Sequence, residues 1–256
     1  MSYRTRQQRV QAPTFFFAPP EAVVGDTITL PADEAKHALT VCRLKAGELL
    51  SIGDGAGNVY DCEVKTAGRG KLVASIVKAR RRQGEPLVSV TLAAGVGKPA
   101  TFDWIVEKAV ELGVARIVPV KCANSVAGLD DAAARKRKIA RWRRIGLSAM
   151  KQSMRSIWPP VEDVVPVASV SALIDDHQMS FIADPEGSRL VFATQTNRPI
   201  TNALLFVGPE AGFTVDERRA LIGAGAMPFT LGERRLRAET AAVASLTLLM
   251  RELGEV

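Results

Sequence analysis

The order of apolar and polar positions divides the chain into two parts of different character. From residue 14 to about residue 80, short apolar runs alternate with turns rich in glycine or charge, a pattern typical of β-strands. The predicted strands cover residues 27–30, 49–52, 59–64 and 72–77, and residues 32–42 form the one predicted helix. The basic and polar stretch 78–85 is predicted to link this small β module to the rest of the chain.

After Pro86 the pattern changes to buried strands that alternate with amphipathic helices. Residues 87–94 form a continuous apolar run, as in a strand covered on both faces. One helical face is then formed by Phe102, Ile105, Val106, Ala109 and Val110. Further strands are predicted at 114–120, 180–183, 203–207 and 227–231, and helices at 131–153, at a capping box from Thr214 to Glu217, and at 239–253. This alternation predicts an α/β domain over 86–256 with a mostly parallel sheet.

The composition narrows the classes of protein that remain possible. No apolar run approaches the roughly 20 residues of a membrane-spanning helix, so no membrane association is expected. Three cysteines without a Cys-x-x-Cys pair, together with two histidines, argue against a disulfide framework and against a metal site. Residues 1–12 are basic and lack the apolar core of a secretory signal, which predicts a short arm and a cytoplasmic protein.

The net charge of +7 is concentrated in one segment. Nine basic residues and no acidic residue lie between Arg135 and Arg155, whereas acidic residues slightly outnumber basic ones elsewhere. On a helix, one stripe is formed by Arg137, Arg141, Arg144, Lys151 and Arg155. A charged helix without acidic residues lacks the ion pairs of an ordinary solvated face, which favours binding to a polyanion such as a nucleic acid.

Two glycine-bearing strand ends are the strongest indication of a ligand site. The strand predicted at 203–207 runs into Gly-Pro-Glu-Ala-Gly-Phe at 208–213, and the next strand runs into Leu-Gly at 231–232. Open α/β sheets bind ligands at such strand ends. By contrast, the Gly-Val-Gly-Lys at 95–98 is not a phosphate loop, because it lacks the following Ser or Thr and the first glycine is replaced by Leu92.

Several motifs together resemble a known enzyme family. Residues 208–213 and 231–241 resemble the two signatures of RsmE-type 16S rRNA uridine-N3 methyltransferases. Residues 103–109 with 111–113, Lys98, and Gln152-Ser153-x-Arg155 match the motifs of that family in the expected order. Phe15-Phe16, His37 and residues 43–47 resemble its PUA-like segment, so the likeness covers nearly the whole chain from Thr14.

The resemblance implies a fold and a reaction that no spacing argument supplies. It implies a PUA-like β-barrel at 14–80 followed by a SPOUT trefoil-knot domain at 86–256, with S-adenosylmethionine (SAM) as the cofactor. It also implies a homodimer that methylates N3 of a uridine in the 16S rRNA of the 30S subunit. Two alternatives stay open: a SPOUT enzyme with another RNA target or ribose 2′-O chemistry, and a non-catalytic RNA-binding ribosome-assembly factor.

The resemblance also assigns roles to residues. The expected cofactor contacts, made mainly by backbone and apolar groups, are Val207, Gly208, Pro209, Glu210, Gly212, Leu231, Gly232, Leu236 and Arg237. The expected catalytic residues are Arg155, Arg237 and Glu239. The expected RNA contacts are Arg43, Lys45, Lys98, Arg137, Arg141, Arg144, Lys151 and Arg155. The group that removes the N3 proton stays open among Asp103, Glu107, Glu210 and Glu239, and the last two are alternatively interpreted as helix caps.

Two positions depart from the family pattern. Ala211 stands where the family has glycine, which the turn should tolerate only if the φ angle of Ala211 is negative. Arg235 stands where an apolar residue is usual, so it either disturbs the packing or adds a phosphate contact. Loss of SAM binding through Ala211 is the one feature that would favour the non-catalytic alternative.

Overall fold

The computed structural model describes residues 14–126, 128–189 and 199–255, and the arm predicted for residues 1–12 lies outside this part. The chain forms two compact units. The first contains residues up to Gln83 and the short segment Met154–Ile157, and the second contains Gly84–Ser153 and the residues from Trp158 onward. The return of Met154–Ile157 to the first unit is not visible in the sequence pattern.

The first unit is a six-stranded sheet with one helix. Its strands are β1 (Phe15–Phe17), β2 (Val23–Val24), β3 (Thr27–Thr29), β4 (Leu49–Gly53), β5 (Asn58–Gly68) and β6 (Lys71–Arg81), with helix α1 (Ala32–Thr40) and a 3₁₀ turn at Pro20–Ala22. The strand order is β1-β4-β5-β6-β3-β2, and only the β1–β4 pair is parallel. The predicted helix and four strands are confirmed, whereas β1 and β2 were not predicted.

Strand β6 corrects the predicted linker. Asp61 pairs with Lys78 and Asn58 pairs with Arg81, so the first part of the stretch 78–85 belongs to the sheet. Its exposed basic side chains made it look like a linker, but the ladder bonds are made by the backbone and need no apolar side chains. The core beneath β4, β5 and β6 is formed by buried residues that include Phe16, Leu50 and Leu72. Burying an apolar side chain of this size contributes about 1.5–3 kcal/mol.

The second unit is an α/β domain with a parallel sheet. Its strands are β7 (Ser89–Gly95), β8 (Arg116–Lys121), β9 (Val165–Pro166), β10 (Met179–Arg189), β11 (Asn202–Val207) and β12 (Met227–Thr230). Its helices are α2 (Pro99–Glu111), α3 (Ala132–Gln152), α4 (Ser171–Asp175), α5 (Val215–Gly223) and α6 (Ala238–Glu252), with a 3₁₀ turn at Val167–Ser169. The strand order is β12-β10-β11-β7-β8-β9, and every pair is parallel. The predicted fold class is confirmed, and β9 and α4 are additions to it.

Helix α2 packs against α3 through the apolar face that the periodicity predicts for α2. The five apolar residues predicted for one face of α2 are all buried. Phe102 of α2 and Trp142 of α3 lie with their ring centroids 4.4 Å apart, and Trp142 is 2% exposed. Helix α3 begins after Asp131, whose carboxylate accepts hydrogen bonds from the backbone N–H groups of Ala133 and Ala134.

The capping box predicted before α5 is present. The N–H of Glu217 donates to Oγ1 of Thr214 at 3.2 Å, and the N–H of Thr214 donates to Oε2 of Glu217 at 2.8 Å. The other carboxylate oxygen of Glu217 accepts from the N–H of Ala123 at 2.7 Å, in the loop after β8. This cap fixes the end of the turn 208–213, which runs from β11 into α5.

Within the described residues, no helix has the length and apolar character needed to cross a membrane. No group of three or more His, Cys, Asp or Glu side chains in the same residues is arranged to hold a metal ion.

Candidate cofactor cavity

A cavity of about 610 Å³ lies at the carboxyl ends of β11 and β12 and beside the middle of β10, the strand between them. Three segments line it, namely residues 182–186, 207–213 and 231–236. The wall is completed by Val215 and Arg218 of α5 and by Ala238 and Ala241 of α6. The cavity has the size and position of a small-molecule site in an open α/β sheet.

The structure brings most of the predicted cofactor contacts together in this wall. The eight that line the cavity are Val207, Gly208, Pro209, Glu210, Gly212, Leu231, Gly232 and Leu236. Arg237 is not one of the described residues that line the cavity. Its side chain is 87% exposed, and its Nη1 atom lies 4.0 Å from Oε1 of Glu239. Arg237 is the N-cap residue of α6 and Glu239 lies in its first turn, directly after the cavity segment 231–236.

The turn 208–213 is fixed to the start of α2. Oε1 of Glu210 accepts a hydrogen bond from the backbone N–H of Lys98, the N-cap residue of α2, at 2.8 Å. A Cβ atom at Gly97 would overlap the Glu210 carboxylate, and one at Gly95 would overlap Pro209. The glycines at 95 and 97 are therefore needed for the close approach of the turn.

The loop after β8 supports the same turn from another side. Nδ2 of Asn124 donates to the carbonyl oxygen of Gly212 at 3.1 Å. Sequence reasoning missed this residue, because nothing in the local pattern connects residue 124 with residue 212.

All four candidate proton acceptors contact other groups, and Glu239 has the longest of these contacts, its 4.0 Å ion pair with Arg237. Burial tends to raise the pKa of Glu210, but hydrogen bonds from its own backbone, from the N–H of Lys98 and from Thr101, and the charge of Lys98, hold that pKa below its usual value. Asp103 accepts from Nε and Nη2 of Arg141 at 2.9 and 2.5 Å. Glu107 accepts from Nζ of Lys108 at 2.8 Å. The interpretation of Glu210 as a helix-capping group is supported, with the cap on α2.

The middle of β10 forms a wall of the cavity that the sequence pattern did not predict. The register between β10 and β12 shifts between Ala183 and Ser188, so the chain bulges over residues 184–187. A Cβ atom at Gly187 would lie 2.5 Å from backbone atoms of Phe229. The bulge places Asp184 and Glu186 beside Arg218 of α5. The Asp-Pro-Glu-Gly sequence directly after the predicted strand 180–183 was the available signal.

The basic residues of α3 are not equivalent. Arg137 and Arg144 are exposed, but Arg141 is held by Asp103 of α2, which raises the pKa of its guanidinium. Arg143 donates to the carbonyl oxygen of Val161 at 3.0 Å, and Lys151 is half-buried. The absence of acidic residues on α3 therefore does not mean that its charges are unpaired, since α2 supplies an acidic partner.

Arg155 does not continue the basic stripe, and that prediction is wrong. Helix α3 ends at Gln152, Met154 adopts a positive φ of 55°, and Arg155, which belongs to the first unit, is 2% exposed. A side chain buried to this extent is not available on this surface for a phosphate contact. The other predicted RNA contacts, Arg43, Lys45 and Lys98, are exposed.

The two departures from the family pattern are both accommodated. In the described chain, the non-glycine residues with a positive φ angle are Arg43, Arg69, Arg82 and Met154. Ala211 is not one of them, so its φ angle is not positive. The condition for tolerating Ala211 is therefore met. Arg235 is exposed at the cavity wall together with Arg234, so it does not disturb the packing.

These features define a class of protein. A parallel α/β domain carries glycine-bearing turns at the ends of β11 and β12, the two strands that flank β10, around one cavity, and a small β unit precedes it. This is the arrangement of a SPOUT-type RNA methyltransferase with an N-terminal PUA-like domain. Matching family models describe an RNA methyltransferase domain at residues 83–250 and an RNA methyltransferase PUA domain at residues 30–77.

Comparisons with individual proteins identify the family more closely. The chain is similar to ribosomal RNA small subunit methyltransferase E of Mycobacterium bovis, with 33% identity over 87% of this chain and 85% of the relative. It is 29% identical to the Bacillus subtilis enzyme of the same name, over 96% of this chain and 93% of the relative. The chain belongs to the ribosomal RNA small subunit methyltransferase E family.

Solved structures agree with this placement. The structure of ribosomal RNA small subunit methyltransferase E from Neisseria gonorrhoeae, bound to S-adenosylmethionine, matches with a TM-score of 0.80 and 27% identity over 93% of this chain and 97% of that one. A methyltransferase from Legionella pneumophila in complex with SAM matches with a TM-score of 0.83 and 25% identity, also over 93% of this chain and 97% of that one.

Proposed function

We propose that this protein uses SAM to methylate N3 of a uridine in the 16S rRNA of the small ribosomal subunit. The observation that carries the proposal is the cavity, which unites both signature segments, 208–213 and 231–236, in one wall. Two structural neighbours of high similarity were solved with SAM bound. We also propose that these two segments interlace to form a trefoil knot.

The cavity fits this cofactor on the properties of its own residues. Its volume of about 610 Å³ lies within the range of ordinary small-molecule sites. Gly208 and Gly212 have no side chain, so a ligand can approach the backbone at both positions. At Gly208 the turn itself leaves little room for a side chain, because a Cβ atom there would lie 3.0 Å from the backbone N atom of Phe213. Backbone groups of the turn 208–213 would hold polar groups of the cofactor, while apolar contacts would come from Val207, Leu231, Leu236 and Ala241. When bound, SAM supplies an electrophilic methyl group.

The chain must then handle the proton and the charge of the uridine. N3 carries a proton that leaves during the reaction, so a cation beside the base would stabilise the resulting anion. Arg237 is exposed at the start of α6, and Glu239 lies close enough to orient it. We assign to Arg237 the stabilisation of the uridine anion. Glu239 then either orients Arg237 or accepts the proton from N3. Arg155 has a structural role in this proposal, because its side chain is buried.

RNA binding is assigned to the exposed cations. In the second unit these are Lys98, Arg137 and Arg144, together with Arg234 and Arg235 at the cavity wall, and in the first unit they are Arg43 and Lys45. Contacts of this kind neutralise phosphates, so the affinity should fall steeply as the salt concentration rises. A homodimer and a cytoplasmic location belong to the same proposal, and sedimentation equilibrium would test the dimer.

The decisive experiment is methylation of 30S subunits from a strain that lacks the modification, followed by nucleoside mass spectrometry. The proposal predicts N3-methyluridine, formed only when SAM is added. Appearance of a 2′-O-methyl nucleoside would support the alternative ribose chemistry instead. RNA binding without any methylated nucleoside, from a protein that also fails to bind SAM in calorimetry, would support the assembly-factor alternative.

A further inference from the structure

The wall formed by β10 and α5 contains an ion-pair network that is built into the cavity. Oδ1 of Asp184 accepts from Nη1 of Arg218 at 3.1 Å and from the backbone N–H of Glu186 at 2.9 Å. Nη2 of Arg218 donates to Oε2 of Glu186 at 2.6 Å. All three residues line the cavity.

The three side chains differ strongly in exposure. The side chain of Asp184 is 2% exposed, that of Arg218 is 28% exposed and that of Glu186 is 75% exposed. A buried carboxylate is poorly screened by water and salt, whereas an exposed one is largely screened. Asp184 is therefore the charge in this network that acts most strongly on a ligand in the cavity.

The network carries one more negative than positive charge, because two carboxylates share one guanidinium. The other charged groups of the cavity wall do little to neutralise this excess negative charge. Glu233, Arg234 and Arg235 are exposed, and the Glu210 carboxylate is bound to the start of α2. Because Arg218 is more exposed than Asp184, water screens the guanidinium more strongly than the carboxylate, and the least screened charge of the wall is the negative charge of Asp184.

We propose that Asp184, held in place by Arg218, makes the cavity prefer the cationic cofactor SAM over its neutral product S-adenosylhomocysteine. This inference rests on the proposed function. The two ligands differ by one methyl group and by the positive charge of the sulfonium, which disappears when the methyl group leaves. A preference of this kind favours loading of the cofactor and release of the product.

The size of the cavity sets the expected magnitude. A cavity of 610 Å³ is about 10 Å across if it is roughly spherical, so any charge bound inside lies within about 10 Å of Asp184. At an effective dielectric constant of about 20, removal of one unit charge at about 10 Å changes the ratio of the two affinities by roughly fifteenfold, and by more at a shorter distance.

Calorimetric titration of the full-length protein with SAM and with S-adenosylhomocysteine tests this inference. Asp184→Asn should lower the affinity for SAM relative to that for the product by roughly tenfold or more. Arg218→Gln, measured at pH 8, should change the same ratio in the opposite direction. Glu186→Gln is the matched control, and it should change the ratio less than Asp184→Asn because the Glu186 side chain is exposed.

The outcomes separate this inference from the proposed function. Equal weakening of both ligands by Asp184→Asn would mean that the carboxylate has only a structural role or accepts from a shared hydroxyl group, and it would overturn the inference. Failure of the wild-type protein to bind either ligand would overturn the proposed function and this inference together. If circular dichroism shows that Asp184→Asn does not fold, Arg218→Gln decides, and a ratio that falls or stays constant overturns the inference.

Discussion

The backbone N–H of Lys98 donates a hydrogen bond of 2.8 Å to Oε1 of Glu210, and this contact joins the start of α2 to the cofactor turn. The glycines at 95 and 97 give the turn room to approach. Residues 95–98 resemble part of a phosphate loop in the sequence, but in the structure they pack against Pro209 and Glu210 of the turn. Its glycines are needed for a contact inside the protein, since a Cβ atom at either position would meet the turn.

This contact predicts strong coupling between two distant positions. Glu210→Ala removes the acceptor, and Gly97→Ala pushes the carboxylate out of its seat, so each should destabilise the fold by about 1–2 kcal/mol. Each should also weaken SAM binding by roughly tenfold. The double variant should be little worse than either single variant, as measured by urea denaturation and calorimetry. Additive losses would show that the two changes act independently.

The same carboxylate predicts a pH dependence of stability. The pKa of Glu210 is lowered in the folded protein, because hydrogen bonds to its carboxylate and the charge of Lys98 outweigh the effect of burial. Its contribution is therefore complete above the unfolded pKa of about 4.3 and is lost as the pH falls through the lower folded value. Urea denaturation between pH 7 and pH 3 should show a smaller loss of stability for Glu210→Gln than for the wild type. Parallel curves would contradict this assignment.

Ala211 and Gly212 should respond in opposite ways to substitution. The φ angle of Ala211 is not positive, so Ala211→Gly should change SAM affinity less than about threefold. Gly212 has a φ of 74°, which costs a residue with a Cβ roughly 1 kcal/mol or more, so Gly212→Ala should weaken both SAM binding and stability. Calorimetry on the pair checks this, and a large gain from Ala211→Gly would restore the assembly-factor alternative.

The ion pair between α2 and α3 predicts unequal roles for neighbouring arginines in RNA binding. Arg144 is exposed, whereas Arg141 is already held by the Asp103 carboxylate. Arg144→Ala should weaken RNA binding more than Arg141→Ala, and it should reduce the slope of log affinity against log salt by about 0.7–0.9. Asp103→Asn releases Arg141 and should strengthen binding. Fluorescence anisotropy with a 16S rRNA fragment measures all three, and identical slopes would exclude α3 from the RNA surface.

The three cysteines should differ in reactivity. Burial and the charge of Asp61 raise the pKa of Cys62 to about 12, and burial and the charge of Glu217 raise the pKa of Cys122 to about 12. At pH 8 these two thiols are almost entirely protonated and should resist iodoacetamide in the native protein. Half-buried Cys42, whose pKa is also raised, should be alkylated first. Rapid native-state labelling of Cys122, measured by mass spectrometry, would indicate opening of the second unit.

Local patterns predicted the long elements well and the short ones poorly. The face of α2, the capping box at Thr214 and strands β7, β8, β11 and β12 of the second unit follow from periodicity and capping within a few residues. Strands β1, β2 and β9 have two or three residues and offer no period to detect. The extension of β6 was missed because its backbone pairing does not depend on apolar side chains.

The sequence by itself determined which helix and strand faces are apolar, where the helices begin, and which turns carry the signature residues. Those properties depend on neighbours within one or two turns of chain. Only the tertiary structure decided which charges are free. It placed Asp103 against Arg141, Glu210 against the start of α2 and Asp184 against Arg218, and it buried Arg155. The function of a charged side chain depends on its partner and its exposure, and contacts between residues far apart in the sequence set both.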